Sequence, residues 1–152
     1  MYRQLIFKSL TDTLYKYRKI VIVSHVNPDG DALGSSLALH LFAKKVGIDS
    51  QVIIPNDYPN FLSWLPSIND IIVYDKCKEE AKQKLTDAEL ICYLDFNTES
   101  RTGVMHNDLL HFAKTPKLLM KRINNTGKTN APLITSLLTN YVEHNCTKKQ
   151  LQ

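Results

Sequence analysis

Ile20-Val21-Ile22-Val23-Ser24-His25-Val26-Asn27-Pro28-Asp29-Gly30-Asp31-Ala32-Leu33-Gly34-Ser35 is the stretch on which the reading of this chain turns. Four consecutive β-branched residues suit a strand buried on both faces of a parallel sheet. The polar segment Ser24–Gly30 predicts a loop. From Asp31 the apolar residues fall at Leu33, Leu37, Ala38, Leu41 and Phe42, one stripe of a helix. Asp31 stands where an N-cap is expected and Gly47 where the helix should stop.

The same alternation continues outward. A helix-like spacing precedes the strand, with Leu5, Ile6, Leu10, Leu14 and Tyr17 within residues 3–18. After it, Gln51–Ile54 reads as a strand ended by Pro55, Asn60–Leu65 as a short helical turn, and Ile71–Val73 as a third strand. Lys76–Leu85 predicts an exposed helix, and Glu89–Leu94 a fourth strand that runs into Asp95. Strands separated by helices imply right-handed crossovers and an α/β, doubly wound parallel sheet. Ligands of such sheets bind beyond the carboxyl ends of the strands. Two polar clusters belong to that edge: Ser24–Gly30 and Asp95-Phe96-Asn97.

Beyond Gly103 the pattern weakens. Leu109, Leu110, Phe112 and Ala113 suit a short helix before Pro116, and Lys117–Met120 a short strand. Leu133–Val142 has an amphipathic spacing within an otherwise polar segment. Charge changes character in the same region. Residues 1–103 carry 12 basic and 13 acidic side chains, whereas residues 104–152 carry 7 basic and 2 acidic. The expected organisation is therefore a domain over residues 1–120 and a basic tail over residues 121–152. A basic surface of this kind is either solvated or meets nucleic acid.

With 152 residues and 43% hydrophobic side chains, the chain has the size and composition of one ordinary globular domain. No apolar run reaches the roughly 18–20 residues of a membrane span. The absence of a signal-like start makes cytoplasm the expected location. Cys77, Cys92 and Cys146 are widely spaced and odd in number, which argues against a disulfide framework or a CxxC metal site.

His25, Asp29 and Asp31 form His-x3-Asp-x-Asp at a strand end and a helix mouth. Taken singly, Asp31 is an N-cap, Asp29 a turn residue and His25 a strand-end histidine. Together they offer imidazole and carboxylate donors, which suit Mn²⁺ or Mg²⁺. Pro28 and Gly30 give the loop the bends to aim all three one way. Asp95, at the end of another strand, can join them across the crevice.

The string SHVNPDGDALGS resembles the first motif of the DHH phosphoesterase superfamily over its whole length. Leu94-Asp95-Phe96-Asn97 followed by Ser100-Arg101-Thr102-Gly103 resembles the second motif region of its oligoribonuclease branch, often called exopolyphosphatase-related. That stretch argues against the family II pyrophosphatases of the same superfamily. The resemblance covers about residues 1–120 and implies two-metal hydrolysis of a phosphoryl bond. It assigns His25 and Asp29 to a first Mn²⁺ (or Mg²⁺), Asp31 to a second, and Asp95 as a bridge between them. Asp31 and Asp95 are thus the catalytic pair, and Asn97 and Arg101 orient substrate phosphate. The implied substrate is a short oligoribonucleotide or nucleotide phosphate. No membrane is involved, and homodimerisation is left open.

One departure stands against this resemblance. The superfamily's Asp-His-His triplet follows a short strand, and Lys117–Met120 is such a strand. The residues after it are Lys121-Arg122-Ile123-Asn124, and no His-His pair occurs in the sequence. The expectation is a truncated, frameshifted or diverged phosphoesterase domain whose hydrolase activity is impaired. The alternative is a non-catalytic remnant that binds metal or nucleotide. Other motifs fail: Thr126–Thr129 resembles the end of a P-loop, but Arg122 occupies the required glycine position. His106, His111 and His144 have no ligand-like spacing and are expected at the surface.

Overall fold

A computed structural model describes residues 2–94, 96, 99–112 and 115–120. The basic tail expected over 121–152, with its helix at Leu133–Val142, lies outside the described residues, as do His144 and Cys146. The elements are α1 (Tyr2–Leu14), β1 (Lys19–Val23), α2 (Gly30–Lys45), β2 (Asp49–Ile54), β3 (Ile72–Val73), α3 (Lys78–Asp87), β4 (Leu90–Leu94), α4 (His106–Leu110) and β5 (Lys117–Met120). Short 3₁₀ turns occupy Asn60–Leu62, Ile68–Asp70 and Glu99–Met105.

The five strands lie in the order β3-β2-β1-β4-β5, every neighbouring pair parallel. This is the expected doubly wound α/β sheet. Its strands are short and carry side chains on both faces, so alternate residues feed two separate cores. Ile20, Ile22, Val52, Ile54, Leu90, Cys92 and Leu94 pack with Leu10 and Leu14 of α1 and Leu33, Leu37 and Leu39 of α2. Val21, Val23, Ile53, Ile72, Ile91 and Tyr93 pack with Ala81 and Leu85 of α3, Met105, and Leu109 of α4. Burying each such aliphatic side chain contributes about 1.5–3 kcal/mol, and a two-faced β1 explains why its sequence shows no polar alternation.

The α2 helix differs from the single stripe read from its sequence. Ala32, Leu33, every residue from Ser35 to His40, and Ala43 are buried. Six consecutive buried positions exceed one 3.6-residue turn, so the helix is covered nearly all round. Its small residues, Ala32, Ser35, Ser36 and Ala38, permit that cover. Gly47 ends the helix as expected, with φ of +81° just beyond the cap residue Val46.

Other boundaries move by a few residues. The first helix stops at Leu14 rather than near 18, and Leu5 faces solvent instead of the core. The exposed helix begins at Lys78 rather than Lys76. The Glu99–Met105 turns, kinked at Gly103 (φ +56°), had no periodicity from which to be read.

Candidate functional site

The chain leaves β1 at the centre of the sheet. Val23 is level with Ile53 of β2 on one side and with Tyr93 of β4 on the other. From β1 the chain moves outward to β2 and β3, then returns by α3 to β4 on the opposite flank. The carboxyl ends of β1 and β4 therefore flank the point where the winding reverses, the usual ligand crevice of an open α/β sheet. Ser24 continues the ladder by donating its N–H to the Ile53 carbonyl at 3.3 Å, and His25 follows it into the loop.

His25 is only 5% exposed. Its Nδ1 lies 2.8 Å from the Val26 carbonyl oxygen, which can only accept, so Nδ1 carries the proton. In the neutral ring that assignment puts the lone pair on Nε2, the form a metal-binding histidine needs. Ser24, one residue earlier, buries a hydroxyl that has no hydrogen-bond partner among the described residues.

Asp29, not Asp31, caps α2. Its backbone is extended (φ −91°, ψ −176°), and its Oδ1 accepts from the Ala32 N–H at 2.9 Å. The helix begins at Gly30, one residue earlier than the apolar spacing indicated, with the Asp29 cap bond closing its first turn. Asp31 instead lies in the first turn, where the helix dipole favours a carboxylate. Both aspartates are exposed.

Two flanking segments hold this loop. On one side Asn27 donates its N–H to Asn56 Oδ1 at 2.7 Å, and Asn56 Nδ2 donates to Asn27 Oδ1 at 2.7 Å. Asn27 has φ of +51°, a left-handed conformation that asparagine adopts more readily than most residues. On the other side Val26 donates its N–H to the Arg101 carbonyl at 2.8 Å. A Cβ placed on Gly103 would sit 3.7 Å from Val26 Cβ, so the kinked turn lies directly on the loop. Arg101 thus meets the loop through its backbone, while its side chain is exposed.

His25 and Asp29 lie on the β1–α2 loop and Asp31 in the first turn of α2, with Arg101 meeting the loop at Val26. Among the described residues, no three His, Cys, Asp or Glu side chains close into a metal-holding group. The expected set also includes Asp95, which with Asn97 lies outside the described residues; β4 ends at Leu94, immediately before it. Asn56 was missed from the sequence. It follows Pro55 at the carboxyl end of β2, and that edge position was the available signal. His111 is exposed as expected, but His106 is half-buried, with Nδ1 buried and without a partner among the described residues.

Known proteins resemble this chain. An exopolyphosphatase-related protein from Bacteroides fragilis superposes with a TM-score of 0.77 at 33% identity, over 90% of this chain and 44% of that one. The bifunctional oligoribonuclease and PAP phosphatase NrnA of Thermus thermophilus is 47% identical over 47 residues, which are 31% of this chain and 14% of that protein. This chain therefore spans less than half of either relative. Residues 19–123 match the DHH family, N-terminal domain, and the chain belongs to that family.

Proposed function

We propose that this domain binds a divalent cation, Mn²⁺ or Mg²⁺, together with a phosphate group of a short oligoribonucleotide or nucleotide phosphate, for phosphoester hydrolysis. The observation that carries the reading is the orientation of the His25 ring. Its Nδ1 lies 2.8 Å from the Val26 carbonyl oxygen at the reversal point of the sheet, and Asp29 and Asp31 follow at the cap and first turn of α2. The donor types fit a hard or borderline cation.

His25 Nε2, Asp29 and Asp31 would hold the cations, with Asp95. A bound cation of this class supplies Lewis acidity and lowers the pKa of water it carries. Asp29 has one oxygen committed to the Ala32 N–H, so its other oxygen is the one offered to a ligand. The amino end of the 16-residue α2 favours negative charge at the same place. Arg101 and Asn97 are proposed to orient phosphate, an exposed guanidinium being suited to bidentate contact.

The sequence Lys121-Arg122-Ile123-Asn124 where the family's histidine pair is expected supports binding ahead of turnover. One cation should bind more tightly than a second, and hydrolysis should be slow. Calorimetric titration with Mn²⁺, paired with an assay of a diribonucleotide, tests both. The expected result is one tight site with weak turnover. No Mn²⁺ binding at all would overturn the reading, and rapid turnover abolished by Asp31→Ala would overturn the impairment.

A further inference from the structure

The segment between β2 and β3 carries an aromatic pair that the fold does not use. Leu62 donates to the Pro59 carbonyl at 3.0 Å, Ser63 to Asn60 at 3.0 Å, and Leu65 to Leu62 at 3.1 Å. The 3₁₀ helix itself spans Asn60–Leu62, and the last of these bonds belongs to the turn that follows it. Leu62 and Leu65 take the inner side, Leu62 buried and Leu65 packed against the core. Phe61 and Trp64, three positions apart, are 74% and 75% exposed. Isolated exposed apolar residues are ordinary, but two large exposed rings within one short segment are not.

This turn is seated on the candidate site. Leu62 Cδ2 lies 3.9 Å from where a Cβ on Gly30 would stand, against the first residue of α2. Six residues before Leu62, Asn56 is paired with Asn27 of the site loop. No lysine or arginine occurs between Lys45 and Lys76, while Asp49, Asp57, Asp70 and Asp75 do. The segment therefore has no means of tracking a polyanionic backbone and offers flat apolar faces only.

The geometry points to Phe61 and Trp64 as a stacking platform for the nucleobase of a mononucleotide or dinucleotide whose phosphate is held at the His25–Asp31 loop. The inference rests on the phosphate-site reading above and adds to it the base-bearing part of the substrate. Every base has a π-face, so such a platform is tolerant of base identity, and stacking of this kind typically strengthens binding about 5- to 100-fold. Inorganic phosphates gain nothing from it.

Trp64 is the sole tryptophan, so its fluorescence reports directly on the platform. The full chain in Mn²⁺ is titrated with AMP and with ribose 5-phosphate, excited at the red edge of the indole band and followed in parallel by calorimetry. AMP should quench Trp64 and bind about tenfold or more tightly than ribose 5-phosphate. Phe61→Ala, an exposed substitution that leaves the circular dichroism unchanged, should erase most of that advantage. Equal binding of both ligands with flat fluorescence would overturn the platform and leave the phosphate site standing. Full AMP quenching that survives Asp29→Asn would overturn the phosphate site and leave the platform. Binding of neither ligand would overturn both. Self-association abolished by Phe61→Ala, without quenching by AMP, would reassign the rings to a contact between copies and so overturn the proposal.

Discussion

Asn27 and Asn56, 29 positions apart, clasp one another through two 2.7 Å hydrogen bonds, one from the Asn27 backbone and one from the Asn56 amide. The clasp fixes the left-handed turn at Asn27 and thereby the direction in which Pro28 and Asp29 leave it. Two such bonds contribute about 1–2 kcal/mol together. Asn56→Ala should therefore lower stability by that amount in urea denaturation. It should also weaken Mn²⁺ binding about tenfold, the scale on which groups that orient ligands act. Unchanged Mn²⁺ affinity would show that the clasp serves the fold alone.

Asp29 has two duties that a pair of variants can separate. Asparagine is as good an N-cap as aspartate, whereas alanine is not and costs about 1 kcal/mol. Asp29→Asn should keep the thermal midpoint near that of the parent and lose most Mn²⁺ binding, because it removes the anionic ligand. Asp29→Ala should lose both. Equal destabilisation by the two variants would mean that the carboxylate charge, rather than the cap, supports α2.

His40 links folding to pH. Its Nδ1 lies 2.7 Å from Ser50 Oγ and its Nε2 lies 3.3 Å from Asp70 Oδ2. Burial holds the imidazole below its usual range, Asp70 pulls the other way by hydrogen bond and charge, Lys44 adds to the lowering, and Asp49 opposes it. A depressed folded value means that the unfolded chain takes up the proton first as pH falls. The stability due to neutral His40 is complete above about pH 6.5 and declines below it. Asp70 is held low, first by its hydrogen bond to His40, so its own contribution is lost only at more acid pH. Urea midpoints should fall as the pH drops below about 6.5, and His40→Asn should flatten that fall. An identical slope in the variant would assign the pH dependence elsewhere.

Cys77 and Cys92 should differ sharply in reactivity. Cys77 is exposed, whereas Cys92 lies in the centre of β4, where burial pushes its thiol up to about 12. The thiolate is the reacting form. A thiol reagent at mildly alkaline pH should label Cys77 in the native chain and Cys92 only in denaturant, as read by peptide mapping. Native labelling of Cys92 at a comparable rate would show that β4 opens readily.

The α/β architecture was legible because each of its elements has a local signature. Ile20–Val23 needs no partner to announce a strand buried on two faces, and Leu33, Leu37 and Ala38 fall at helical spacing whatever packs on them. The loop His25–Asp31 was legible for a related reason: its residue types and spacing lie within one short segment. The capping role did not follow. Asp29 and Asp31 are both fit to cap, and the choice fell to Asp29 once Gly30 entered the helix and Oδ1 met the Ala32 N–H.

What only the tertiary structure decided are the pairings between segments far apart in the chain. Nothing local to Asn56 names Asn27 as its partner; β1 and β2 must first lie side by side, Val23 level with Ile53, before the loops beyond them can meet. The same holds for Gly103 against Val26, for His40 against Ser50 and Asp70, and for the seating of Leu62 on Gly30 that turns Phe61 and Trp64 outward. Periodicity in a sequence records which side of an element is apolar. It carries no record of which element lies opposite, because that is fixed by the order of strands in the sheet, and so the ligand types of the site came from the sequence while the walls around them came from the fold.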